Sequence, residues 1–116
     1  MKPVELQRSH PDAGKLSLRL AVPSTSGWFA GHFPVQPLLP GVAQLDWVMA
    51  FGAELAPGMR FHSIENVKFQ RPIVPESQLE LNLQWDAERS ILSFSYTLLS
   101  EQGDVPASSG KIKLCP

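Results

Sequence analysis

His32 and Asp46 stand fourteen residues apart, joined by Phe33-Pro34-Val35-Gln36-Pro37-Leu38-Leu39-Pro40-Gly41-Val42-Ala43-Gln44-Leu45. The histidine is a base able to move a proton near neutral pH. The aspartate lies one turn inside an apolar stretch that reads as a helix from about Val42 to Ala56, ended by Pro57-Gly58. Pro34, Pro37 and Pro40 stiffen the connection, so its geometry is held at low entropic cost. The segment delivers the imidazole to the start of that helix, where free N–H groups attract negative charge. A base, an acid and an anion-attracting helix start in one segment suit proton transfer next to a carbonyl.

The elements that position these residues are read from periodicity. Leu16 to Val22 alternates strictly, as a half-buried strand does, and stops at Pro23. Ser24-Thr25-Ser26-Gly27 is turn chemistry, and Trp28-Phe29-Ala30 leads into the histidine segment. After the helix the period becomes two: Glu65 to Gln70, Gln78 to Trp85, Leu92 to Leu98 and a short Lys111 to Leu114 read as strands. Turns are expected at Asp86-Ala87-Glu88-Arg89 and Gln102-Gly103-Asp104. Strands joined by short connections pair antiparallel, which predicts an α+β domain over residues 1–116, one helix laid on an antiparallel sheet.

At about 100° per residue, Val42, Leu45, Asp46, Met49, Gly52 and Ala53 share one arc of the helix, and Gln44 points the opposite way. Trp47 and Phe51 lie away from that arc, so the helix is apolar nearly all round and is expected to be buried between sheet and partner subunit. An acid in such an arc is costly to ionise. Asp46 is therefore either a hydrogen-bonded helix acid or a proton donor kept neutral by burial among Val42, Met49 and Ala53.

Composition narrows the function further. With 116 residues the chain makes one domain, small for an enzyme that must also enclose a substrate, so a dimer is expected to supply the missing wall. A net charge of −1 argues against a nucleic-acid partner. No apolar run approaches the ~20 residues of a membrane span, and Met1-Lys2-Pro3-Val4-Glu5 does not read as a signal peptide. The lone Cys115 excludes an intrachain disulfide and fits a reducing cytoplasm. His10 and His62 read as solvated or edge residues, and three scattered histidines make a poor metal site.

Gly31-His32-Phe33-Pro34, Pro37, Pro40-Gly41-Val42 and the acid at Asp46 resemble the 3-hydroxyacyl-(acyl-carrier-protein) dehydratases of the hotdog fold. The run Val67-Lys68-Phe69-Gln70-Arg71-Pro72-Ile73-Val74-Pro75 resembles the strand and proline turn that follow the helix in those enzymes, and Gln44-Leu45-Asp46-Trp47 is most similar to the aryl-polyene branch. The resemblance implies a dimeric hotdog: an antiparallel sheet wrapped around one helix, with active sites shared between subunits. It implies dehydration of a 3-hydroxyacyl thioester, borne by an acyl-carrier protein, to the trans-2-enoyl thioester, with no metal or other cofactor. It gives His32 the α-proton, and gives the partner's copy of Asp46 the protonation of the departing hydroxyl. The Gly41 N–H would polarise the thioester carbonyl, and the Leu38 carbonyl would fix the imidazole tautomer.

Phe33 and Val42 join the expected substrate lining. Trp28 and Phe29 either line an acyl tunnel or pack as ordinary core. Arg60, Lys68 and Arg71 are read as one cluster, either docking an acidic carrier or forming a solvated sheet face. Two departures from the family pattern stand out. The acid is Asp rather than the commoner Glu, as in members that also isomerise the double bond, and Ala50 replaces the usual glutamine four residues on. The rival readings are a hotdog thioesterase and a non-catalytic acyl-binding or heterodimer subunit.

Overall fold

A computed structural model describes residues 3–23 and 39–116. In chain order it has β1 (Val4–Ser9), β2 (Lys15–Ala21), α1 (Gly41–Gly52), β3 (Arg60–Phe69), β4 (Gln78–Asp86), β5 (Ile91–Leu99) and β6 (Val105–Cys115). The strands form one antiparallel sheet in the order β1-β2-β4-β5-β6-β3, with α1 packed along one face: the hotdog architecture.

Alternation places the core where the sequence pattern predicts. Leu16, Leu18 and Leu20 of β2 and Leu79, Leu81 and Leu83 of β4 turn inward, as do Leu92, Phe94 and Tyr96 of β5. Ala43, Trp47 and Val48 close the layer from the helix. Each large apolar side chain so buried contributes about 1.5–3 kcal/mol before chain entropy is subtracted. Asp86 Oδ1 accepts from the backbone N–H groups of Glu88 (3.1 Å) and Arg89 (3.2 Å), forming the expected β4–β5 turn.

Four expectations are corrected. The helix ends at Gly52, not Ala56, and tightens into turns in which Glu54 N donates to Phe51 O (3.2 Å) and Leu55 N to Gly52 O (3.0 Å). Pro57 has no N–H to continue the ladder, and its ring would meet the Ala53 carbonyl. β6 is not a short strand but runs from Val105 to Cys115, and β3 starts at Arg60 because it pairs along that length, Arg60 opposite Cys115 and Phe69 opposite Ser108. β1 was not expected at all: every residue of it is exposed, and the alternation of Val4 and Leu6 stops at Arg8.

The fourth correction concerns the helix. The side on the sheet carries Ala43, Gln44, Trp47, Val48 and Gly52, whereas Val42, Asp46, Ala50 and Ala53 are exposed. Val42 is 60% accessible. Gln44 therefore points into the core, and Trp47 packs inside this chain's own sheet. At Gly52 the fit is close: a Cβ there would lie 2.5 Å from Leu92 Cδ2.

Candidate active site

The helix begins at Gly41 without a side-chain cap, its N-cap being Pro40 with extended backbone (φ −61°, ψ 151°), and with no acid in the first turn. Ala43 N (3.1 Å) and Gln44 N (3.2 Å) donate back to Pro40 O. Among the described residues the first helix bonds are donated by Ala43 and Gln44, so the N–H groups of Gly41 and Val42 precede them at the helix start. They stand at the positive end of the helix dipole, where a developing oxyanion is stabilised.

A cleft of about 430 Å³ opens at this point, lined by Leu39, Pro40, Gly41 and Gln44 on one side and by Phe69, Gln70, Arg71 and Pro72 on the other. Its opposing walls touch: a Cβ on Gly41 would lie 2.7 Å from Phe69 Cζ. Glycine is what allows the aromatic ring and the helix start to approach so closely. Phe69 is 53% exposed, so the cleft has an apolar rim open to solvent.

Beneath the cleft lies a buried polar cluster. Gln44, 4% exposed, donates through Nε2 to Leu39 O (3.3 Å), and its Oε1 accepts from Ser108 Oγ (2.7 Å). The Tyr96 hydroxyl donates to the Gln44 backbone carbonyl at 2.6 Å. Burial pushes the Tyr96 phenol well above its usual range, since no charged form is tolerated there. Sequence reasoning missed Gln44, Ser108 and Phe69. The two small polar residues Ser108 and Ser109 in β6 were the available signal, because a buried Gln requires a partner.

Of the residues named from the sequence, Gly41 and Arg71 line the cleft, and Val42 and Asp46 share the exposed face of the helix. Of the arc expected to bury Asp46, Val42 and Ala53 are exposed together with Asp46 itself, while Leu45 and Met49 are half-buried and Gly52 is buried. Arg60 does not cluster with Lys68 and Arg71. It sits at the far end of β3, about 26 Å from Lys68 at ~3.3 Å per residue, where Nη2 donates to Pro116 O (3.0 Å). His32, Leu38, Phe33, Trp28 and Phe29 lie outside the described residues. His62 is exposed on β3, its Nδ1 3.0 Å from Ser63 Oγ, and His10 is exposed with Nδ1 3.2 Å from Lys15 O. Among the described residues no group of three His, Cys, Asp or Glu side chains is arranged to hold a metal, and no helix is long and apolar enough to cross a membrane.

Comparison with known proteins bears on the whole fold. Residues 7–111 match the family described as ApeI-like, ApeI dehydratase. A 3-hydroxyacyl-(acyl-carrier-protein) dehydratase FabZ of Haemophilus influenzae is 43% identical over 77 residues, 58% of this chain and 52% of its own. The chain thus spans about half the length of the curated relatives it matches. An uncharacterized protein from Erwinia carotovora subsp. atroseptica is 51% identical with a TM-score of 0.94, covering 100% of this chain and 98% of that one. The dehydratase heterocomplex ApeI:P from Xenorhabdus doucetiae contains a chain 50% identical, with a TM-score of 0.92 and 100% of both chains covered.

Proposed function

The chain belongs to the ApeI-like dehydratase family, and from that premise we propose that it removes water from a 3-hydroxyacyl thioester to give the trans-2-enoyl thioester. The observation that carries this is the uncapped helix start at Gly41, opening on an apolar cleft of about 430 Å³ with Phe69 across from it. A thioester carbonyl seated there accepts from the Gly41 N–H. That contact lowers the cost of the enolate-like charge that builds as the α C–H bond breaks. His32 takes the α-proton, with its tautomer set by the Leu38 carbonyl. The electron pair forms the α,β double bond, and the β C–O bond breaks as Asp46 of the partner subunit protonates the leaving hydroxyl, releasing water. Trp28, Phe29, Phe33 and Val42 line the acyl chain's path, and the reaction draws on no metal or redox group.

Two copies are required by this reading. The exposed face with Val42 and Asp46 and the outer strand β3, which shows Phe61, Ile64 and Phe69 about half exposed, are the surfaces a second subunit would cover. Covering them would take the Asp46 carboxyl out of water. Lys68 and Arg71, exposed beside the cleft, would receive an acidic acyl-carrier protein, and Arg60 is left out of that patch. A cytoplasmic setting fits the single free thiol, Cys115.

A second reading, an accessory subunit completing a heterodimer, is favoured by the heterocomplex in which the chain from Xenorhabdus doucetiae was solved, and by Ala50 standing beside Asp46 on the exposed face. One experiment separates the readings. Purified protein mixed with a short 2-enoyl thioester loses its conjugated absorbance by hydration, reversibly, if the chain is a dehydratase. Thiol release would identify a thioesterase, and an unchanged spectrum an accessory subunit.

A further inference from the structure

The antiparallel register of β5 and β6 slips once. Tyr96 pairs with Ser108 and Thr97 with Pro106, so Ala107 is an extra residue in β6. A bulge of this kind turns two successive side chains the same way, and both Ala107 and Ser108 are buried. Two consequences follow for the cleft. The Ala107 carbonyl is free of the β5 ladder and accepts from Gln70 N (2.8 Å) and Arg71 N (3.0 Å), fixing one wall. Ser108 is aimed inward, where its hydroxyl reaches Gln44 Oε1.

Gln44 carries the connection to the other wall. Its Nε2 holds the Leu39 carbonyl, and Leu39 N donates to Ile73 O at 2.8 Å. Leu39 is thereby clamped on both sides immediately before Pro40-Gly41, and the same residue follows the histidine-bearing segment in sequence. The Gln44 backbone is pinned as well, by the Tyr96 hydroxyl. An apolar side chain would fill this position on the sheet side of a helix without needing any partner, so the amide is retained at a cost in desolvation.

We propose that Gln44 and Ser108 are positioning residues, which hold the Leu39-Pro40-Gly41 backbone at a fixed distance from the Gln70-Arg71 wall through the β6 bulge. Their side-chain polar atoms are engaged with Leu39 and with each other, not with the reacting atoms. Their effect is on where the Gly41 N–H stands when charge develops on the carbonyl, and the kinetic part of this role rests on the dehydratase reading above. Misplacement of a reacting contact by on the order of 1 Å costs ~10²-fold in rate.

The test compares Gln44→Leu, Ser108→Ala and the double variant. Gln44→Leu strands the Ser108 hydroxyl and the Leu39 carbonyl, and Ser108→Ala strands Gln44 Oε1; the double variant removes the Gln44–Ser108 mismatch and regains that part of the stability, leaving only the Leu39 carbonyl without its donor. If the pair is structural only, rate recovers with stability in the double variant. If the pair positions the backbone, kcat stays down by about tenfold or more with KM little changed, as for an interaction realised in the transition state. A readout independent of turnover comes from the ¹⁵N-labelled protein without substrate. The Gly41 amide signal moves and Leu39 amide exchange quickens in the double variant, while Gly103 in the β5–β6 turn stays put. Unchanged Gly41 and Leu39 signals overturn the proposal even if the protein dehydrates nothing, and an inactive wild type with moved signals overturns only the dehydratase reading.

Discussion

Tyr96 is the only tyrosine in the chain, so its titration can be followed without interference from another phenol. It is fully buried, its hydroxyl donates to the Gln44 carbonyl, and burial raises its pKa well above 10.0. A folded-state pKa raised above the unfolded value leaves stability untouched below that value. Above it the unfolded chain gives up a proton that the folded chain keeps, and stability falls as pH rises. One pH unit above ~10 this single group removes about 1.4 kcal/mol. Tyr96→Phe deletes the hydroxyl and with it a hydrogen bond of about 0.5–1.5 kcal/mol. The variant should therefore be less stable than wild type by about 1 kcal/mol near pH 7. The difference should close to about zero near pH 11, because only the wild type suffers the alkaline loss. Urea unfolding across that range, with the near-ultraviolet phenolate band recorded in parallel, checks both halves. A phenolate signal that develops in the folded protein with a midpoint near ~10 would refute the burial argument.

Gly110→Ala should destabilise by about 1–3 kcal/mol in urea melts, because its Cβ would stand 2.5 Å from Asn66 O on β3, a backbone atom that cannot rotate away. Val42→Lys puts a charge on the exposed helix face and should halve the sedimenting mass at micromolar concentration with little change in the monomer's circular dichroism. His32→Ala should lower the dehydration rate by ~10²–10⁴-fold, and a variant retaining more than about half the wild-type rate removes His32 as the base. Asp46→Asn should abolish turnover while the circular dichroism of the folded chain is unchanged, since Asp46 lies on the exposed side of the helix in the single chain.

The inner strands were legible because Leu16-Leu18-Leu20, Leu79-Leu81-Leu83 and Leu92-Phe94-Tyr96 alternate without interruption, and alternation is what one buried face imposes. The outer strands were not. β1 buries neither face, and β3 is broken by register shifts between Phe61 and Ser63 and between Ile64 and Asn66, which scramble its period. The helix was legible in position but not in rotation. With apolar residues on every side, hydrophobicity could not choose the sheet face, and the buried choice included Gln44, whose desolvation is offset among the described residues by Leu39, Ser108 and Tyr96. Arg60 joined Lys68 and Arg71 in the sequence reading through nearness in number, which an extended strand converts into distance. The helix start, read at about Val42, lies at Gly41, and the role of Asp46 depends on a second chain.

The central claim, a site that draws its base from one subunit and its acid from the other, is tested by mixing two dead proteins. His32→Ala and Asp46→Asn are unfolded together, refolded, and given a short 2-enoyl thioester, with loss of conjugated absorbance as the readout. In a mixed dimer one site inherits both defects and the other inherits an intact His32 and an intact Asp46. Random re-pairing in a two-fold dimer should restore about a quarter of wild-type activity. No recovery from the mixture, alongside full recovery of refolded wild type, would contradict the shared site.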